Sequence, residues 1–473
     1  MKRTVIAALA LIGAGASASA QTFSSGDLAR RTIERRAVEA VIWGMPAVNY
    51  DLMLQEMINK AKGKPNQIVF WSRLPDWKNQ TLTPNPDSIY LMPFFDTKDV
   101  GPVVIETPPA DEGSINGTIM DLWQIPLEDV GPAGVDKGKG GKYLILSPDY
   151  NDKAPDGYIV LPSETYQGYA LLRSILASGS DADVAKATAY GRRIKVYPLS
   201  QAASPPPTVF VDAIDIVYDA TIPYDLRFFH ALNRVVQQSP WLARDRAMID
   251  MLKSIGIERG KPFDPDQKTQ ASLNAAIGEA KALLESRYED VFATAPAYFD
   301  NSRWLLPALP GYIKQAQEGF SDPQAYAVND RGLVFTFAFF SPKHLGEGQF
   351  YLMTIKDKGG QQLKGARTYR LTVPANAPVK LYWSATAYDR ATHALIRDQK
   401  WASRSSQSPG LQKNADGSVD VYFGPKAPTG KESNWVPTNP TGEFEVLFRF
   451  YGPEKPLFDK TWKLPDIEMT ENP

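Results

Sequence analysis

The chain has no cysteine, and only three of its 473 residues are histidine. The first absence excludes disulfides, thiol nucleophiles and thiolate metal sites, and with them a lipid-modified N-terminal cysteine. The second leaves His230, His344 and His393 to serve any imidazole chemistry. A three-histidine metal site would consume all of them, and a Ser-His-Asp triad must use one. No His-x-His pair of a cupin-like metal enzyme is present, and no metal or other cofactor is called for. Charge of one sign is also missing: 52 Lys+Arg balance 53 Asp+Glu. There is no long run of either sign, hence no nucleic-acid footprint and no basic membrane-surface patch. After the N-terminus no apolar run reaches the ~18 residues of a membrane span. The glycine-rich GPAGVDKGKGG segment lacks the G-x-x-x-x-G-K-[ST] order of a phosphate cradle and reads as a wide connection.

The first twenty residues have the form of a signal peptide. Lys2 and Arg3 are followed by an apolar stretch and by Ala18-Ser19-Ala20, which predicts a periplasmic or secreted, cysteine-free product without membrane insertion. A helix is expected over 27–62, packed on a domain edge and broken at Pro46. Short apolar and aromatic runs at 68–71, 88–95, 103–107, 114–123 and 142–146 read as strands of a sandwich. Helical spacing is then expected over 164–177, 182–195, 226–237, 242–255 and 266–288, with caps at Ser163 and Asp181. Strands return at 333–340, 349–355, 369–373, 380–388, 419–423 and 443–451. The Asp416-Gly417 dipeptide signals a hairpin into the 419–423 strand. Asn414, Asp416 and Asp420 lack the spacing of a calcium loop.

A weak internal repeat links the two β-rich parts. VVIETP at 103–108 leads to a strand ending at Asp121, and YRLTVP at 369–374 leads to one ending at Asp389. The later YLILSP at 143–148 parallels VYFGP at 421–425. The chain therefore reads as mainly β with substantial α. Residues 1–20 are the leader, 21–200 an N-terminal helix with a first sandwich, 201–325 a mainly helical insertion and 326–473 a second sandwich.

Long motifs carry a family resemblance: NPDSIY from Asn85, DLWQIPLEDVGPAGVDKGKGGKYLILSPDY from Asp121, PDGYIVLPSETYQGYALLRSIL from Pro155, NADGSVDVYFGP from Asn414, Glu432-Ser433-Asn434-Trp435, and RFYGPEKPLFDKTWKLPDIE from Arg449. The chain resembles the exported bacterial family that joins domain of unknown function 1254 to domain of unknown function 1214. The resemblance implies two jelly-roll-like antiparallel β-sandwiches, similar to a double jelly roll, and brings no assigned catalytic residue.

Candidate sites are carboxylates and amides near aromatic rings, since aromatic faces stack on sugars and paired carboxylates can divide acid and base roles. Asp121 and Asp389, equivalent in the repeat, are the catalytic candidates. Asn85, Asp87, Tyr90, Trp123, Trp383, Tyr388, Glu432, Asn434 and Trp435 are the ligand-binding candidates. The expected function is binding, with hydrolysis as an option, of a carbohydrate-like or other polar small-molecule ligand outside the cytoplasm. The alternative is a non-catalytic assembly protein forming homo-oligomers, because jelly rolls also build coats; a metal-dependent cupin-like enzyme is a third and weaker reading, disfavoured by the lack of a close His-x-His pair.

Overall fold

The computed structural model describes residues 23–338, 342–344 and 348–470; the leader expected over 1–20 lies outside them. In the first half the strands are β1 (Gln67–Phe70), β2 (Asn79–Gln80), β3 (Ile89–Asp96), β4 (Val103–Thr107), β5 (Ile115–Asp121), β6 (Pro126–Val130), β7 (Gly141–Leu146), β8 (Ile159–Pro162), β9 (Gln167–Ser174), β10 (Lys195–Pro198), β11 (Phe210–Asp212) and β12 (Tyr218–Asp219). The second half adds β13 (Gln349–Thr354), β14 (Tyr369–Val373), β15 (Val379–Asp389), β16 (Ser403–Ser405), β17 (Val419–Gly424), β18 (Trp435–Pro437), β19 (Phe444–Pro453) and β20 (Glu468–Met469). The helices are α1 (Ser25–Asn59), α2 (Asp181–Gly191), α3 (Leu226–Gln238), α4 (Arg246–Lys253), α5 (Gln267–Thr294), α6 (Pro310–Gln317), α7 (Val328–Phe337) and α8 (Lys455–Phe458).

Two sandwiches result. In the first, a sheet ordered β11-β1-β3-β9-β5-β6 faces one ordered β10-β4-β7-β8 across a core that includes Ile89, Leu91, Ile105, Tyr143 and Leu172. In the second, β13-β19-β15-β16 faces β18-β17-β14-β20 across Phe350, Leu371, Trp383, Val421 and Phe448. The sheets are mainly antiparallel, but β7–β8 and β17–β18 are parallel pairs, so neither sandwich is purely antiparallel.

The internal repeat extends through eight strands. β3 to β9 and β10 of the first sandwich have the same pairings as β13 to β19 and β20 of the second. Thus β4 pairs β7 as β14 pairs β17, and β5 lies between β6 and β9 as β15 lies between β16 and β19. β3 joins β9 as β13 joins β19, and β10 joins β4 as β20 joins β14. Asp121 and Asp389 close equivalent strands, as the sequence suggested.

Helices α1, α3, α5, α6 and α7 share one core with residues of both sandwiches. α1 packs on α3, α5 and α7, and its residues from Ala37 to Asp51 are buried except at Glu39. It is therefore a central element, where an edge helix was expected. Pro46 does not break it. The proline ring removes the amide that would bond the Ile42 carbonyl, and Gly332 of α7 lies against that carbonyl: a Cβ there would sit 2.7 Å from the Ile42 oxygen. Ser24 accepts the Asp27 amide and caps the helix start.

Two expected elements change type. Residues 167–174 form strand β9 where helix was expected over 164–177, and Ser163 is a turn residue bonded to Thr165. Residues 328–337 form helix α7 where a strand was expected from 333. Residues 167–174 and 331–337 are buried throughout, and a short run buried on both faces has no period by which to tell strand from helix. The Asp416-Gly417 turn enters β17, but β17 pairs β14 and β18, so no hairpin forms there. In the glycine-rich connection Gly131 has φ +93, and a Cβ there would lie 1.8 Å from the Ile115 carbonyl oxygen, which requires glycine.

Candidate functional site

The site follows from strand periodicity. Along β9, Ala170 and Leu172 point into the first sandwich, so Tyr169, Leu171 and Arg173 project from its outer face. Along β19, Phe448 and Phe450 point inward, so Leu447, Arg449 and Tyr451 project outward. These two outer faces meet beside the helices, and the topological repeat brings equivalent residues together. Arg173 lies across from Tyr90 of β3, and Arg449 lies across from Tyr351 of β13.

Both guanidiniums are buried, at 8% and 2% exposure. Arg173 Nε donates to the Tyr90 hydroxyl at 3.3 Å, with the guanidinium 5.1 Å from that ring. Arg449 sits 5.2 Å from the Tyr351 ring and donates to Thr386 Oγ1 at 3.0 Å, the Thr83 carbonyl at 2.8 Å and the Tyr388 hydroxyl at 2.5 Å, while its Nε has no partner. Among the described residues neither guanidinium forms an ion pair with a carboxylate; Tyr90, Tyr351 and Tyr451 act on both, Tyr388 acts on Arg449, and the Asp87 carboxylate is within electrostatic reach of Arg449. A buried cation is normally paired, so this is an unusual arrangement.

Two neighbouring cavities adjoin the pair, of about 70 Å³ and about 30 Å³, and share Leu171, Arg173 and Tyr351 in their walls. The smaller cavity also reaches Tyr90 and Arg449. At ~10–15 Å³ for one water centre, this is room for a few waters or one small organic anion.

The loop Asn85-Pro86-Asp87-Ser88 joins the sandwiches here. Asn85 Oδ1 accepts the Asp87 amide in a turn, and Asn85 Nδ2 donates to the hydroxyls of Tyr451 at 2.8 Å and Tyr382 at 3.2 Å. Tyr388 donates to the Pro84 carbonyl at 2.7 Å and Tyr382 to the Asp87 carbonyl at 3.0 Å. The Tyr451 and Tyr382 rings stack with centroids 4.4 Å apart. Burial pushes the Tyr451 phenol up, but the charges of Arg173 and Arg449 and hydrogen bonding outweigh it, so its pKa falls below the usual tyrosine value. Burial and the neighbouring Tyr451 push Tyr351 well up.

Four expected site residues therefore converge: Asn85, Asp87, Tyr90 and Tyr388. Asp87 accepts from Ser403 Oγ at 2.8 Å and lines a second, outer groove of about 260 Å³ with Trp401, Arg404 and Gln407. Burial raises its pKa against the pull of Ser403, Arg449 and Arg404. The Arg404 guanidinium lies 3.8 Å from the Trp401 ring, and burial pushes it down to about 10.

The other expected residues are dispersed. Asp121 Oδ1 accepts the Ile125 amide at 2.8 Å in a turn, and Asp389 Oδ1 accepts the Ala391 amide at 2.8 Å in another. Neither lines the two cavities beside Arg173 or the outer groove. Burial raises Asp121 to about 6, opposed by the Ile125 amide and the charges of Arg244 and Arg331. Trp123 packs 4.6 Å from Trp43, and Trp383 stacks on Phe448 inside the second sandwich at 5.5 Å. Glu432 accepts the Gly430 amide, Asn434 staples the Gln412 and Asp420 carbonyls, and Trp435 donates to the Gly424 carbonyl.

Arg173, Tyr351, Arg449 and Tyr451 were not among the expected residues. Two short repeats mark three of them: Tyr90-Leu91-Met92 recurs as Tyr351-Leu352-Met353, and Leu171-Leu172-Arg173 as Leu447-Phe448-Arg449. No group of three metal-ligating side chains occurs among the described residues, and none of their helices is long and apolar enough to cross a membrane.

Residues 65–198 match the family model described as protein of unknown function DUF1254, and residues 348–455 match protein of unknown function DUF1214. The chain belongs to the family in which the first precedes the second. In solved structures, it is similar to the VPA0106 protein from Vibrio parahaemolyticus at 17% identity and TM-score 0.55, over 93% of this chain and 100% of that one, which shows a shared fold. A putative uncharacterized protein from Burkholderia cenocepacia aligns at 12% identity and TM-score 0.40, over 94% and 96% of the two chains. No curated protein matches the sequence.

Proposed function

We propose that this is an exported protein that binds a small organic anion, such as a carboxylate, in the cavity between its two sandwiches. The observation that carries the reading is the pair Arg173 and Arg449: two buried guanidiniums at one cavity without a carboxylate partner. Guanidinium donors fit carboxylate and phosphate oxygens in a planar, bidentate manner. An anion there would give the two buried guanidiniums the close carboxylate partner that neither has among the described residues. Tyr90 and Tyr351 supply hydroxyls for a polar substituent. The expectation of a carbohydrate-like ligand is narrowed to one that carries negative charge, and the small cavity volume favours a single small unit over a glycan chain. Export rests on the N-terminal sequence of Lys2, Arg3, the apolar stretch and Ala18-Ser19-Ala20.

The test is thermal melting of the mature protein in buffer free of small oxyanions, with malonate, acetate and phosphate compared against neutral sugars. A ligand at a hundredfold over its Kd stabilises by ~2.7 kcal/mol. The anions are expected to raise Tm in the wild type and to lose that effect in Arg173→Met. Stabilisation by neutral sugars alone would refute the anion reading.

A further inference from the structure

We infer that Gln349 sets the specificity of this site and that the ligand is a small hydroxy acid, its carboxylate on the Arg173 guanidinium and its hydroxyl on the Gln349 side-chain amide. This rests on the anion-binding reading and narrows its ligand class. Along β13, Phe350 and Leu352 point into the second sandwich, so Gln349 and Tyr351 project from the outer face. Both line the larger cavity together with Arg173. Among the described residues the Arg173 side chain makes one hydrogen bond, from Nε to Tyr90, which leaves its two terminal nitrogens for a ligand. The Gln349 amide oxygen is buried and accepts no hydrogen bond, a state that native proteins seldom leave unfilled. Neighbouring acceptors in the same wall are engaged. Asp129 accepts from Thr118 Oγ1 and from the His344 amide, both at 2.7 Å, and Asn116 Oδ1 accepts from Ser114 Oγ at 3.2 Å.

The internal repeat sharpens the contrast. Tyr90 and Tyr351 are equivalent, so Ser88 and Gln349, each two residues earlier, are equivalent as well. The Ser88 hydroxyl is tied to Asn85 Nδ2 and to the Tyr382 hydroxyl, each at 3.0 Å. The first sandwich thus uses this position to join the two halves, while the second turns it to the cavity. A hydroxyl both donates and accepts, so it pairs with a side-chain amide whichever end of the amide faces it. An ammonium would instead bring a further positive charge beside Arg173 and Arg449, which disfavours an amino acid. The larger cavity, of about 70 Å³, has room for about five or six water-sized groups, the size of glycolate or lactate.

Thermal melting over a concentration series of glycolate and lactate, each against the acid that lacks the hydroxyl, acetate and propionate, tests this on the mature protein. The hydroxy acids are expected to bind about tenfold more tightly than their parents, the worth of one hydrogen bond to a group otherwise without a partner. In Gln349→Met, which keeps the length of the side chain without its amide, that ratio should fall to about one. If this variant does not fold, Gln349→Asn, whose amide is drawn back by one methylene, should lower the ratio in the same way. Equal binding of glycolate and acetate by the wild type, or an unchanged ratio in the Gln349 variant, overturns the inference and leaves the anion reading standing. Glycine bound as tightly as glycolate overturns the assignment of a hydroxyl. If none of the acids raises the Tm of the wild type, the anion reading fails, and the hydroxy-acid inference with it.

Discussion

Arg173 and Arg449 occupy equivalent positions in the repeat, yet their replacement by methionine should have opposite effects on stability in anion-free buffer. Methionine keeps most of the length and apolar contact of arginine without the charge. Arg173→Met loses one long hydrogen bond to Tyr90, worth ~1 kcal/mol, and a cation–π contact worth ~1 kcal/mol. Against this, it removes a buried cation whose desolvation costs several kcal/mol. The net expectation is a gain of ~1–3 kcal/mol. Arg449→Met loses three good hydrogen bonds, to Thr386, Thr83 and Tyr388. It also leaves the Thr83 carbonyl without its guanidinium donor, at ~1–3 kcal/mol for such an unsatisfied group. The losses now match or exceed the relief, and a net cost of ~2–4 kcal/mol is expected. Urea unfolding with and without malonate reads both terms, since a changed midpoint at constant slope is a changed stability. Arg173→Met should unfold later than wild type without malonate and gain nothing from adding it. Equal destabilisation by both variants would refute the view that Arg173 is held for a ligand rather than for the fold.

Other consequences follow from the packing and the buried acids. Gly332→Ala places a Cβ 2.7 Å from the Ile42 carbonyl oxygen; forcing α7 off α1 should cost ~1–3 kcal/mol, read as a lower urea midpoint. Asp121 has its pKa raised to about 6 from 3.8 by burial. Its contribution to stability is therefore complete below about pH 4 and lost as pH rises through about pH 6. Asp121→Asn keeps an acceptor for the Ile125 amide and should flatten the Tm profile across that window; an unaltered profile would refute the shift.

The mainly β character, the helical insertion and the repeat were legible because their signals are local. The apolar run of VVIET and the alternating residues of YRLTV announce strands, and the strands ending at Asp121 and Asp389 are equivalent in both sandwiches. Strand β9 and residues 331–337 of helix α7 were misread because each is buried throughout, which removes the alternation that distinguishes strand from helix. At the site, the NPDSIY segment and Tyr388 carried recognisable residue types, so Asn85, Asp87, Tyr90 and Tyr388 could be named. Arg173 and Arg449 stand alone among apolar neighbours, and a lone arginine in a strand reads as a solvated side chain.

By itself the sequence determined what each strand offers to its two faces: apolar residues inward, and on the outer faces of β9 and β19 an arginine following leucine. It also determined, through the cysteine-free composition and the scarcity of histidine, that thiol chemistry is excluded and that any imidazole chemistry must draw on His230, His344 and His393. Only the tertiary structure decided that these two outer faces are both buried. The α1, α5 and α7 layer holds the sandwiches so that two residues 276 positions apart in the chain, Arg173 and Arg449, meet beside one cavity. Local patterning states which face a side chain takes, but the cost of burying its charge depends on what the fold places opposite it.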